Sequence, residues 1–201
     1  HFPYFSLPIL YRKPFVVTIH DLIIHHFSTG KASTLPVPLY KVKRLGYEQV
    51  LQYAVKRGKK IIVPLQAVKK DLVHAFHVPE TKIMVTPEGF DTNVSLAKTG
   101  TLKLPYKKYF LYVGNAYPHK NLDLLLKAFM LYQEKNPQTK TGLLFVGKDD
   151  FFYKRLREQI KQEKLEQVSV INDVSDSDLA SAYAHALCLL SPSLMEGFGL
   201  T

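Results

Sequence analysis

Short runs of β-branched and aromatic residues alternate with longer amphipathic stretches along most of the chain, and this constrains the fold more than any other feature. Strand followed by helix, repeated, reads as an α/β protein with parallel sheets, because parallel strands need a crossover between them. In the first half the strands are expected at Phe15–Ile19 (FVVTI), Lys60–Val63 (KIIV) and Lys82–Thr86 (KIMVT). A basic helix is expected at about Pro38–Lys56, with Leu39, Val42, Leu45, Val50, Leu51 and Ala54 on one inward side and Lys41, Lys43, Arg44, Lys56 and Arg57 around them. A second helix, about Ala67–Phe76, turns Val68, Leu72, Val73 and Phe76 inward. The alternation restarts with strand Tyr109–Val113, helix Leu122–Glu134, strand Gly142–Val146 and helix Phe152–Lys164. Strand Val168–Ile171, helix Asp176–Ala186 and strand Leu187–Leu190 follow, and Ser175 with Asp178 forms a capping box for that last helix.

Between the halves, Asp91–Lys108 holds Gly100 and Pro105 and keeps no sustained period, which reads as a linker. The division expected is residues 1–95, a linker at 96–108, and residues 109–201. The first half lacks an opening strand–helix unit with a glycine-rich turn, and the second stops after about four strands. The fold class expected is therefore α/β, with parts of two Rossmann-like domains, each with a parallel sheet and each incomplete. The opening HFPYFSLPILY and the closing EGFGLT, where a helix should begin, read as the ends of a piece cut from something longer.

Composition narrows the function classes. With 46% hydrophobic and 22% charged residues the chain is not a disordered tail, a collagen-like repeat or a coiled coil. Its single cysteine, Cys188, excludes an intrachain disulfide framework and a multi-cysteine metal site. Lying in the apolar run Ala186–Leu190, that thiol is expected to be buried and inert. No apolar run approaches the roughly 18 residues of a membrane span, and no signal peptide opens the chain, so a cytoplasmic protein is expected. The net charge is +10, and residues 1–97 hold 13 Lys and Arg against 6 Asp and Glu. That excess is either a solvated face or a surface for anionic lipid. Nucleic acid is disfavoured, since no binding motif accompanies the charge and the aromatics do not alternate with the basic residues.

Two segments carry chemistry. In Tyr109–Asn121 (YFLYVGNAYPHKN) a strand ends at Val113, Gly114 allows a tight turn, Pro118 stiffens the loop and Lys120 stands at the mouth of the next helix. A helix N-terminus beside a lysine suits a phosphate; the alternative is an exposed lysine with Asn121 as an ordinary cap. In Pro192–Thr201 (PSLMEGFGLT) a carboxylate, Glu196, precedes Gly197–Phe198–Gly199. Two glycines let backbone approach a ligand closely, or make an ordinary turn. His74 and His77, three apart, lack a third metal ligand nearby. His25 and His26, after the TIHDL strand, either line the cleft or sit on a loop, the loop being favoured, and His185 is expected half-buried on a helix.

The motifs YVGNAYPHKNLDLLLKAF, LLFVGKDD, VINDVSDSDLASAYAHA and LLSPSLMEGFGL, in that order, resemble the donor-nucleotide domain of glycosyltransferase family 4, retaining enzymes of the GT-B type. HFPYFSLPILYRKPFVVTIHDLI, KIIVPLQAVKKDL and KIMVTPEGFD resemble the later part of that family's acceptor domain. The resemblance implies that Lys120 contacts the donor diphosphate and that Glu196, first of a Glu-x7-Glu pair, lies at the transferred sugar. The second glutamate would fall beyond Thr201. It further implies that the amides of Gly197, Phe198 and Gly199 face sugar and phosphate. Gly114, Asn115, His119 and Asn121 would surround the diphosphate, and Gly147, Lys148 and Val174 would border the nucleotide. His20 of TIHDL matches a histidine near the donor sugar, with Asp21 beside it. Two positions depart from the pattern. Asn115 and His119 stand where many relatives supply an arginine, and Pro64 stands where many have a serine.

The function implied is transfer of a hexose from a nucleoside diphosphate sugar to a hydroxyl of a cell-envelope glycan or glycolipid, without a cofactor or a metal ion. The partners implied are the nucleotide-sugar donor, the glycan or glycolipid acceptor and an anionic membrane surface at the inner face of the cytoplasmic membrane, with no nucleic acid. The alternatives are a non-catalytic nucleotide-sugar-binding module and a basic peripheral membrane protein.

Overall fold

The computed structural model describes residues 1–27, 33, 35–89, 102, 104 and 106–199. Two compact units divide the chain: His1–Gly89 with Met195–Leu200, and Phe90–Leu194 with Thr201. Most of the expected linker, and its residues Gly100 and Pro105, lies outside the described residues.

In the first unit, β1 (Val16–Thr18), β2 (Lys60–Val63) and β3 (Ile83–Val85) form a parallel sheet in the order β1-β2-β3. Helices α1 (Ile23–His26), α2 (Val37–Arg57) and α3 (Gln66–Phe76) complete it. Alternation along β2 sinks Ile61 and Val63 into a core with Val17, Ile19, Leu51, Ala54 and Leu72. On the other side of β1, Phe2 donates to Val16 and accepts from Thr18, so the opening segment pairs with the sheet. Helix α2 ends where the Lys82 ammonium donates to the Val55 and Lys56 carbonyls (2.7 and 2.8 Å), a cation on otherwise unpaired helix-end acceptors.

One expectation fails in α2. Leu51, Ala54 and Val55 are buried, but Leu39, Val42 and Leu45 are 57%, 67% and 61% exposed. At 1.5 Å per residue, 21 residues run about 30 Å. The longest strand beside it, of four residues, spans only about 13 Å. The helix outruns its sheet, and Val42, nine residues before Leu51, lies half a turn round from the buried side. In α3, Val68 and Leu72 are buried and Val73 and Phe76 pack against the same core, as expected.

The second unit holds β4 (Tyr109–Val113), α4 (Leu122–Lys135), β5 (Gly142–Gly147), α5 (Phe151–Gln162), β6 (Val168–Asn172), α6 (Asp176–His185) and β7 (Cys188–Leu189). All its strand pairs are parallel, in the order β6-β5-β4-β7. Both faces are covered. Tyr112, Leu143 and Phe145 meet α4 and α5 through Leu126, Phe129, Tyr153 and Leu156. Tyr109, Leu111, Leu144 and Val146 meet Ala182, Leu179 and Tyr183 of α6. Ser175 accepts from the Asp178 amide and donates to its carboxylate, the expected capping contact.

The order reverses at β4, which pairs with β5 on one side and β7 on the other. Ligands of open α/β sheets lie beyond the strand ends at such a switch point. Cys188 is exposed, against expectation, because β7 is only two residues long and is the edge strand of the sheet. His185 is likewise exposed at the end of α6, its ring held against the Ser181 carbonyl at 2.8 Å.

Candidate active site

The carboxyl ends of the parallel strands gather the sequence-predicted residues in two clusters, one in each unit.

In the first unit, His20 follows β1 and Glu88 follows β3. The His20 Nδ1 meets the Glu88 carboxylate, and Nε2 lies 2.9 Å from the Pro3 carbonyl. A carbonyl and an ionised carboxylate only accept, so a ring bonded to both donates from both nitrogens and is the imidazolium. Burial works against that charge. The bonds to Glu88 and Pro3 and the negative charges of Glu88 and Asp21 outweigh it, and the His20 pKa stands above its ordinary value. While it holds both protons, His20 offers no lone pair to a proton donor and acts as a positive charge rather than a base.

Asp21 accepts from the Ile23 amide at 2.9 Å and so starts α1. His25 and His26 lie in that helix rather than on a loop, and His26 Nε2 bonds the Asp71 carboxylate at 2.8 Å. His74 is on α3, while His77 is its left-handed C-cap (φ 51°), so the two do not share a helix face. Gly197 passes close to this cluster: a Cβ on it would lie 2.9 Å from the His20 carbonyl oxygen and 3.2 Å from the Asp21 Cβ. The close backbone approach expected of the glycine pair is thus made against His20–Asp21. Gly199 has open space around it but a φ of +80°, which favours glycine. Glu196 and Phe198 are half-buried beside them.

The His20–Glu88 pair sets a pH dependence. Because the folded state binds the His20 proton more tightly than the unfolded chain, whose pKa is about 6.5, the pair's contribution is full below that pH. It is lost as pH rises through the higher folded-state value. Glu88→Gln is expected to lower the urea midpoint clearly at about pH 5.5 and much less at about pH 9. Equal losses at both would show that the pair carries no linked proton.

In the second unit, Gly114 ends β4 with φ +145° and donates to Val146 at 3.0 Å. The Asn115 carbonyl accepts from the Tyr112 hydroxyl at 2.7 Å, and its side-chain oxygen accepts from the Tyr117 amide. A 3-10 turn, Pro118–Lys120, follows; His119 is buried in it and accepts at its carbonyl from Leu194, while Lys120 is half-buried. Asn121 takes a left-handed conformation (φ 58°) and its side chain does not cap α4, as an ordinary cap would. It donates instead to the Pro192 carbonyl at 3.3 Å. The start of α4 is left without a side-chain cap, with Lys120 immediately before it.

Gly147 ends β5 against Gly114: a Cβ on it would fall 2.3 Å from both the Gly114 carbonyl oxygen and the Tyr153 hydroxyl. Its carbonyl accepts from Asn172 at 2.9 Å. Lys148 is exposed beyond it, and Val174 packs on the α6 side of the sheet. The Arg157 guanidinium bonds Asn172 and Asp149, and that bond above all holds the Asp149 carboxyl below the usual carboxylate range.

Within the second unit the strand ends bring Gly114 and Gly147 together, with Asn115, His119, Lys120 and Asn121 on the turn that leaves β4. Within the first they bring together His20, Asp21 and Gly197. Glu88, Tyr112 and Tyr153 were not singled out from the sequence. The only signal for Glu88 was its place just after a strand, and both tyrosines sit in aromatic runs that read simply as core.

Residues 98–201 match the family model described as glycosyl transferases group 1, and residues 1–94 match the model described as Glycosyltransferase Family 4. The chain is 23% identical over 195 residues to the O-antigen chain mannosyltransferase RfbU of Salmonella typhimurium, covering 97% of this chain and 49% of the relative. It is 26% identical over 211 residues to O-antigen chain mannosyltransferase B of Escherichia coli, covering 100% and 52%. It spans about half the length of these curated relatives. Among solved structures, sucrose-phosphate synthase from Thermosynechococcus elongatus matches with TM-score 0.69 at 20% identity, over 95% of this chain and 47% of that one. WaaG, described as a glycosyltransferase involved in lipopolysaccharide biosynthesis, matches with TM-score 0.65 at 16% identity, over 94% and 53%. At such identities the likeness is one of fold, the GT-B type with Rossmann-like units.

Proposed function

The chain belongs to the glycosyl transferases group 1 family, and from that premise we propose that it is part of a retaining glycosyltransferase. The reaction is transfer of a hexose from a nucleoside diphosphate sugar to a hydroxyl of a cell-envelope glycan or glycolipid. The names of the two O-antigen relatives favour mannose as the sugar and a growing polysaccharide as the acceptor.

The observation that carries this reading is the turn Gly114–Lys120, which leaves the sheet at its switch point and delivers a lysine to a helix start without a side-chain cap. Negative charge grows on the diphosphate as the sugar–phosphate bond breaks, and oriented positive charge and amide dipoles stabilise it there. Lys120 and the α4 N-terminus supply both, with no metal ion. The leaving phosphate takes the proton of the incoming hydroxyl on the same face of the sugar. Glu196 and the amides of Gly197–Gly199 hold the sugar, and protonated His20 adds positive charge near it, so the protein's share is orientation and electrostatics. Gly147, Lys148 and Val174 border the nucleotide.

The test is transfer of labelled sugar by the whole enzyme from guanosine and uridine diphosphate sugars to a lipid-linked glycan. Nucleotide binding without transfer would favour the non-catalytic module instead. This 201-residue chain, about half the length of the curated relatives it matches, is by itself expected to show no turnover. Measurable transfer by the isolated chain would contradict that.

A second feature favours attachment to an anionic membrane at the cytoplasmic face. The outward side of α2 presents Leu39, Val42 and Leu45, with Lys41 and Lys43 exposed beside them, and no carboxylate occurs between Asp21 and Glu48. Apolar side chains flanked by lysines suit a lipid interface, at roughly 1 kcal/mol per well-placed basic residue. No helix of the described residues is long and apolar enough to cross a membrane. Co-sedimentation with anionic vesicles is expected to exceed that with neutral ones and to fall sharply with added salt. Equal binding to both would reduce the charge to a solubility feature.

A further inference from the structure

Tyr153 is fully buried, yet its hydroxyl does not point into apolar surroundings. It lies between the ends of two strands, its single proton directed at the Gly114 carbonyl at 2.7 Å and shared with the Val146 carbonyl at 3.0 Å. Its backbone is fixed independently: Asp150 caps α5 by accepting from the Phe152 and Tyr153 amides, both at 2.9 Å. The ring packs among Leu125, Leu126, Phe145 and Leu156 in the core under α4 and α5. A second phenol, on Tyr112, donates to the next carbonyl along, that of Asn115. Two buried tyrosines therefore pin two consecutive carbonyls where the chain leaves β4. Gly147 packs against the first of them: a Cβ there would strike both the Gly114 oxygen and the Tyr153 hydroxyl.

We propose that Tyr153 is a positioning residue for the Gly114–Lys120 turn, holding it in the shape that a nucleoside diphosphate requires. Its functional consequence rests on the transferase reading above; its structural consequence does not. Burial pushes the Tyr153 pKa upward, so the phenol stays a donor through the working pH range. Without the hydroxyl, the Gly114 carbonyl loses this donor and the turn loses one of its two tyrosine anchors. The donor pocket then has to be ordered by the ligand, which weakens apparent affinity.

The variant is Tyr153→Phe, with Tyr109→Phe as the control. Tyr109 is equally buried and its hydroxyl donates to the Ala182 carbonyl at 2.8 Å, in the core on the α6 side of the same sheet. In the whole enzyme, amide exchange at Gly114, Lys120 and Asn121 is expected to quicken about tenfold relative to the β5 amides in Tyr153→Phe and to stay unchanged in Tyr109→Phe. In the whole enzyme Tyr153→Phe is expected to raise the donor KM about tenfold while the acceptor KM holds. If the two variants exchange alike at the turn, or if donor KM is unmoved in an active enzyme, the assignment is overturned. A wild-type enzyme that transfers nothing would refute the transferase reading instead, and the exchange measurement would still decide the role of Tyr153.

Discussion

Lys120→Ala in the whole enzyme is expected to lower kcat/KM by about 10²–10³-fold, the effect of removing one oriented charge-stabilising donor. Lys120 ends the 3-10 turn one residue before the Asn121 that opens α4, so its ammonium and the helix N-terminus serve the same small region. The neighbours cannot replace it. Asn115 is neutral and its carbonyl is occupied by Tyr112, and His119 is buried. A half-buried lysine whose part is only structural would cost about 1 kcal/mol or less on removal and leave turnover intact. Steady-state kinetics beside a thermal melt separates the two. Unchanged turnover would remove Lys120 from the site.

Gly147→Ala is expected to give the largest loss of stability. The new methyl would lie 2.3 Å from a backbone oxygen and from the buried hydroxyl that donates to that oxygen. Neither can yield without breaking the junction of β4 and β5, and overpacking of this kind costs about 3 kcal/mol. For a unit of this size that is a fall of roughly 10 °C or more in Tm. Gly46→Ala is the opposing control: it lies in α2 with nothing within 4 Å, so the same methyl should stabilise by about 0.5–1 kcal/mol. Similar melts for the two variants would contradict the close approach at Gly147.

Periodicity revealed the alternation of strands and helices because each strand buries a face and each helix a stripe. Tyr109–Val113 and Lys60–Val63 were legible to the residue. It misled in α2, where apolar residues from opposite sides of the helix were read as one inward face. Only the lengths of the neighbouring strands show that the first half of α2 has no sheet to pack on. Cys188 failed for a related reason: an apolar run marks a strand, but whether anything covers that strand is a property of the sheet. The candidate site was legible where it depends on contiguous residues, as at Gly114–Asn121. It was not where the contact is long-range. His20 and Glu88 are 68 positions apart, and Tyr153 reaches Gly114 across 39. Charge on His20 and the anchoring of the turn both come from such pairs, which no local pattern encodes.

If the strand ends of the second unit bind the diphosphate of a sugar nucleotide, amide hydrogen exchange of the whole enzyme changes there when guanosine or uridine diphosphate is added. Exchange is expected to slow in the segments around Gly114–Asn121 and Gly147–Lys148, with the outward side of α2 unaffected. Protection elsewhere, with these two segments unchanged at saturating nucleotide, would contradict binding at these strand ends.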